Sequence, residues 1–163
     1  MEIQIVTSSG EGRTLLSAFD SALQNAGVSN YNLIVLSSII PPSSTLVKKR
    51  MYTTPPEEFG HRLYVVRAEM RSNEAGKFIA AGVGWYQLED GRGYFVEHEI
   101  VGETKIAVQS EIENRIHNSL SDMCSFRKVR FVKEKAQSAI AVSQVVDKPA
   151  CVLAVAVYRS EPW

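Results

Sequence analysis

Asn32-Leu33-Ile34-Val35-Leu36-Ser37-Ser38-Ile39-Ile40-Pro41-Pro42 carries an apolar run through two adjacent serines into a double proline. Residues 33–36 are apolar and partly β-branched, which predicts a buried strand. Pro41 and Pro42 have no N–H to give to a ladder, so the strand has to stop beside the serines. Ser37 and Ser38 then fall at a strand end under backbone constraint, with Ile39 and Ile40 holding the exit. Taken alone, Ser-Ser before Pro-Pro is also an ordinary turn sequence.

Upstream, residues 2–7 alternate in polarity and run into Ser8-Ser9-Gly10-Glu11-Gly12, which predicts a short strand and a loop. From about Thr14, the residues Leu16, Phe19, Leu23 and Ala26 recur at spacings of three and four with Ala22 beside them. That is one apolar helical stripe, closed by Gly27. Asp20 lies off the stripe, where a lone carboxylate reads as solvated. Strand, glycine loop and helix start are the parts of a phosphate site. The details do not fit one: no Lys-Ser or Lys-Thr follows Gly12, Leu15 stands where a dinucleotide fingerprint needs its third glycine, and Glu11 would repel phosphate. Asn30-Tyr31-Asn32 links the helix to the central strand, and Asn32 there is a natural turn former.

Gly12, Thr14, Leu16, Ala18-Phe19-Asp20, Ala22-Leu23, Asn25-Ala26-Gly27, Asn30 and Asn32-Leu33-Ile34, followed by Ser37-Ser38-Ile39 and Pro41-Pro42, run in one register without gaps. Together they resemble the amino-terminal third of the pyruvoyl-dependent arginine decarboxylases. The match resumes at Glu97-His98-Glu99. The resemblance implies an enzyme that makes its own cofactor: Ser38 Oγ attacks the carbonyl of Ser37, an ester replaces the peptide, and elimination cuts the chain. Residues 1–37 would form the β chain. Residues 38–163 would form the α chain, beginning with a covalent pyruvoyl group derived from Ser38. A serine hydroxyl is a poor nucleophile at neutral pH and needs strain, a base or oxyanion donors to react. The strand end beside the prolines could supply strain.

The same resemblance implies the remaining roles. Asn32 assists near the reacting group. Asp20, Leu16 and Ser37 meet the substrate, with Asp20 accepting parallel N–H bonds from a guanidinium. Glu97 gives the proton that replaces carbon dioxide, with Glu99 as second candidate. Glu97 and Glu99 share one face of a strand and His98 takes the other. By composition that is an exposed polar face, but a proton donor needs a raised pKa, through burial or a neighbouring like charge. The implied reaction is L-arginine to agmatine and carbon dioxide, with the keto group taking up the electrons. The family also implies trimers, sometimes paired into hexamers, with active sites between subunits. The alternatives are a pyruvoyl decarboxylase of another amino acid, an uncleaved homologue with an assembly or regulatory role, and a nucleotide-binding module.

Beyond the prolines, residues 43–61 are polar and proline-punctuated, which predicts a surface connection. The 43–77 segment departs from the family with an added charged hairpin. Strands are expected at 62–70, 77–87 and 94–101, separated by Ser72-Asn73-Glu74-Ala75-Gly76 and Glu89-Asp90-Gly91-Arg92-Gly93, both hairpin-type turns. Ala80-Ala81-Gly82-Val83-Gly84 permits close approach of a neighbour or ligand. A second helix follows from Thr104 to about Phe126, with Val108, Ile112, Ile116, Leu120 and Met123 inward. Three closing strands are expected at 129–133, 139–146 and 151–158, the basic residues at 127–135 lying on their solvated side. Two long helices and about eight strands, each burying one apolar face, predict a layered sandwich with sheets inside and helices outside. The resemblance makes it an α+β, four-layer αββα sandwich with mostly antiparallel sheets.

The bulk numbers agree with a single domain over 1–163: 45% hydrophobic and 22% charged residues make a globular composition. Eighteen basic and eighteen acidic side chains cancel, which argues against nucleic-acid or anionic-membrane partners. The start at Met1-Glu2-Ile3-Gln4 is neither a signal peptide nor a membrane span. Cys124 and Cys151 lack metal-ligand spacing, as do the three histidines, so the expectation is a cytoplasmic protein with core thiols and no metal site.

Overall fold

A computed structural model describes all 163 residues. Two helices enclose two facing sheets. In chain order the elements are β1 (Glu2–Glu11), α1 (Leu15–Ala26), β2 (Asn32–Val35), β3 (Ile39–Ile40), β4 (Thr45–Lys48), β5 (Arg62–Ser72), β6 (Phe78–Gln87), β7 (Gly93–Gly102), α2 (Lys105–Phe126), β8 (Gln137–Gln144) and β9 (Ala150–Glu161). One sheet runs β2-β5-β9-β1-β4 and the other β3-β7-β6-β8. Pairing is antiparallel except for β2 with β5 and β1 with β4.

Three separate cores define four layers. Ile3, Ile5, Val66, Phe95, Val152 and Ala154 pack between the sheets. Val6, Ala22, Leu63 and Leu153 pack beneath α1, and Ala80, Ile112, Ile116 and Leu120 beneath α2. Alternate residues of β9 feed two cores, which is why this central strand is apolar almost throughout. Cys151 is a core residue and fully buried.

Both helices begin on a capping threonine. Thr14 accepts from Ser17 N and Thr104 from Ala107 N, satisfying donors that the helix start leaves free. Gly27 ends α1 at φ 82, a conformation glycine adopts without a Cβ penalty. The buried face of α1 is Ala18, Ala22, Leu23 and Ala26, while Leu16 is 69% exposed. The expected stripe is therefore rotated, because the small side chains of Ala18, Ala22 and Ala26 let the helix lie close on β1 and β9.

The small residues of β6 serve a neighbour. A Cβ at Gly84 would fall inside the van der Waals shell of Ile116 Cγ2 on α2. Gly84→Ala should therefore lower stability by about 1–3 kcal/mol through overpacking, read as a shifted denaturant midpoint with unchanged slope.

Four sequence expectations are corrected. Residues 43–61 are not wholly a connection, since β4 pairs in parallel with β1 and a 3₁₀ turn forms at Pro56–Glu58. Because β4 runs parallel to β1, no charged hairpin forms there. The turn at 72–76 is no hairpin either: β5 and β6 belong to different sheets, and Gly76 N–H donates to Val145 O at 2.8 Å to pin the crossover. No strand forms at 129–133. Phe131 packs on Tyr86 at 5.3 Å between ring centroids, and the Tyr86 hydroxyl donates to Arg130 O at 3.1 Å and accepts from Val132 N–H at 3.2 Å. A side chain thus satisfies the backbone groups that a ladder would have used. Lys133–Lys135, with Glu134 between the two lysines, forms a 3₁₀ turn.

Candidate active site

The central stretch forms two strands in different sheets. β2 lies beside β5, Leu36 N–H donates to Val65 O at 2.8 Å, and the chain then leaves that sheet. Ile39 and Ile40 next pair with Tyr94 and Gly93 in the other sheet. Ser37 and Ser38 are the crossing. Ser38 takes φ 67, the left-handed region that non-glycine residues avoid, at a cost of roughly 1–3 kcal/mol. Strain therefore sits on the second serine.

The crossing brings Ser38 to β7. Phe95 N–H donates to Ser38 O at 2.8 Å, and Ser38 Oγ donates to the Glu97 carboxylate. Glu97 is half-buried, and burial raises its pKa above the usual carboxylate value, only partly offset by the bond from Ser38. Glu99 lies two residues on, facing the other sheet as Glu97 does. Burial raises its pKa as well, the Glu69 backbone N–H opposes the rise, and Glu97 adds to it. His98 points oppositely, its Nε2 at 2.9 Å from Ser119 Oγ on α2. Burial, then Arg115, lowers the His98 pKa.

A cleft of about 370 Å³ opens over this point, lined by Ser38, Phe95, Glu97, His98, Ser119, Asp122, Met123 and Phe126. Of the α2 residues among these, the sequence pointed to Met123 alone, as part of the apolar stripe, and to none as a site residue. Polar positions on a helix look solvated unless the neighbouring strand edge is known. The fold also joins Tyr158 to the crossing, its hydroxyl donating to Ile39 O at 2.9 Å. Within the apolar run of β9, Tyr158 carries no local signal.

The other sequence candidates lie elsewhere in the chain. Asn32 Nδ2 donates to Gly60 O at 2.7 Å, at the far end of β2 from Ser37. Ser37 is exposed. Leu16 and Asp20 are exposed one turn apart on α1 and do not line the cleft at Ser38. Ser38 and Glu97 are thus brought together, while Asn32, Leu16 and Asp20 are not joined to them within one chain.

A larger polar cleft of about 650 Å³ lies at the start of α1, lined by Ser9, Glu11, Arg13, Ser17 and Lys148 among others. Its glycines do not cradle a ligand. A Cβ at Gly10 or Gly12 would strike the α1 backbone, so both serve helix packing, and the Ser17 N–H is already taken by Thr14. The nucleotide reading gains nothing from it. No helix is long and apolar enough to cross a membrane.

A family profile described as pyruvoyl-dependent arginine decarboxylase matches residues 2–162. Curated proteins of that name are similar. That of Methanothermobacter thermautotrophicus is 30% identical over 97% of this chain and 96% of its own length. That of Thermoplasma volcanium is 35% identical over 74% of this chain, and that of Picrophilus torridus 35% over 59%. The matched region spans 66% and 53%, respectively, of those two relatives. A match running from β1 to the end of β9, over a fold whose crossing sets Ser38 against Glu97, has one conclusion: the chain belongs to the pyruvoyl-dependent arginine decarboxylase family.

Proposed function

We propose that this chain cuts itself between Ser37 and Ser38 and then decarboxylates L-arginine to agmatine. The observation that carries the reading is Ser38 itself: a left-handed residue at a sheet crossing, its hydroxyl donating to a half-buried carboxylate. Glu97 can accept the Ser38 Oγ proton as Oγ attacks the Ser37 carbonyl carbon. The Ser38 nitrogen leaves that carbon, giving an ester. Elimination then frees the Ser37 carboxylate and leaves an unsaturated residue 38, from which water displaces ammonia to give a ketone. Both the strain at φ 67 and the basic partner favour the first step.

The surroundings fit a small keto group at position 38, since residue 38 lines the cleft and its carbonyl, which outlasts the cut, already accepts from Phe95 N–H. A pyruvoyl group there supplies the carbonyl that draws off the electrons of the breaking carbon–carboxylate bond. The Phe95 N–H holds and polarises the adjacent amide carbonyl. Glu97, favoured in its protonated form by burial, holds the proton destined for the substrate α-carbon.

Substrate recognition by Asp20 and Leu16, and assistance by Asn32 near the reacting group, require a second copy of the chain, because within one copy these three are not joined to Ser38 and Glu97, whereas Ser37 stands beside Ser38. Val35 is 55% and Ile39 48% exposed on either side of the serines, and Leu16, away from them on α1, is 69% exposed, apolar surface that a trimer, or a hexamer of two trimers, would cover. The free thiols of Cys124 and Cys151 fit a reducing, cytoplasmic setting.

Denaturing electrophoresis with mass spectrometry, alongside carbon dioxide release from L-arginine, tests the reading. The expected result is two fragments, 1–37 and 38–163, the larger blocked at its amino terminus, and stoichiometric agmatine. One uncut band would favour a non-catalytic assembly homologue. A cut protein inert toward arginine would reassign the substrate to another amino acid.

A further inference from the structure

We propose that Tyr158 is a positioning residue that keeps residues 38–40 seated after the chain is cut behind them, a role that rests on the self-cleavage reading above. β3 has only two residues and lies at the edge of its sheet, paired to β7 alone. While the chain is whole, β2 anchors it from the other side. Once cut, residue 38 becomes a chain terminus on a two-residue edge strand, the kind of segment that frays. The Phe95 N–H on Ser38 O belongs to the same β7 ladder, so fraying would release it together with the strand.

Tyr158 fastens the segment from the opposite sheet. It lies on the inward face of β9 with Val152, Ala154 and Ala156, and is 9% exposed. Its ring meets Phe95 edge to face at 6.2 Å and 63°. That contact aims the hydroxyl across the gap at Ile39 O, to which it donates at 2.9 Å. Ile40 is fully buried in the same core, whereas Ile39 is 48% exposed. The arm is therefore held by the Ile40 side chain and by the Ile39 carbonyl, the latter through Tyr158. Burial, then the nearby Glu97 carboxylate, raises the phenol pKa, so the hydroxyl keeps its proton to give.

Tyr158→Phe removes the donor and keeps the ring, and the test compares it in two backgrounds. In cut protein, hydrogen–deuterium exchange of the peptide beginning at residue 38 should be about tenfold faster than in cut wild type, from the loss of one buried hydrogen bond. In the uncut Ser38→Ala background, where the arm is tethered at both ends, the same substitution should change exchange less than about twofold. With L-arginine, kcat should fall about tenfold with KM nearly unchanged. Equal exchange in the two cut proteins would overturn the proposal. So would equal acceleration in both backgrounds, which would make Tyr158 a general support of the fold. An uncut wild-type control is a separate outcome, removing the self-cleavage reading and this role with it.

Discussion

Ser38→Ala should run as one uncut chain of 18.1 kDa and release no carbon dioxide above background. The substitution removes the only atom proposed to attack the Ser37 carbonyl, and with it the source of the keto group. The activity loss should be roughly four orders of magnitude or more, as when an enzyme loses its nucleophile. Folding should survive, because position 38 is half-exposed and its carbonyl bond to Phe95 is made by the backbone. A companion, Ser38→Gly, separates chemistry from conformation. Glycine adopts φ 67 without a Cβ penalty, so this variant should also stay whole yet be more stable than Ser38→Ala by about 1 kcal/mol. Cleavage of either variant at the same bond, seen by mass spectrometry, would sink the assignment of Ser38 as attacking residue.

Glu97→Gln should cut kcat by about 10²–10⁴-fold, the usual worth of a general acid. The amide oxygen still accepts a hydrogen bond from Ser38 but cannot take or return a proton, so self-cleavage should proceed more slowly. The pH profile supplies a second readout. A donor acts in its protonated form, so wild-type kcat should fall as pH rises through the elevated Glu97 pKa. Stability follows the same sign. For a carboxyl whose folded pKa exceeds its unfolded value, the benefit of binding the proton is complete below the unfolded pKa and is lost as pH rises through the folded one. The always-neutral glutamine should then gain thermal stability relative to wild type as pH rises through that window. Normal turnover by Glu97→Gln would transfer the proton-donor role elsewhere, Glu99 first.

Much of the architecture was readable from local pattern. Alternating or continuous apolar runs located β6, β7 and β9, helical stripes located α1 and α2, and capping threonines and Gly27 sat near their ends. Failures came where a segment's partner lies far away in sequence. Residues 72–76 have hairpin chemistry, yet turn residues encode a reversal of direction and not which sheet the next strand joins. Residues 129–133 look like a strand, but Tyr86, more than forty positions away, takes their backbone bonds. Leu16 fits an apolar stripe by spacing, yet Ala18 and Ala22 decide which face lies down.

The sequence by itself determined that pairing stops at Pro41-Pro42, because prolines lack the donor a ladder requires, and it carried the spaced identities that mark the family. It also determined that Glu97 and Glu99 share a face, because strand side chains alternate. Only the tertiary structure decided that Ser38 crosses between sheets at positive φ and that its hydroxyl meets a carboxylate 59 positions away. It alone turned Glu97 from an exposed acid by composition into a half-buried one with a raised pKa. The physical reason is that strain and desolvation are set by what two packed sheets press against a residue, and those neighbours are supplied by chain closure rather than by sequence proximity.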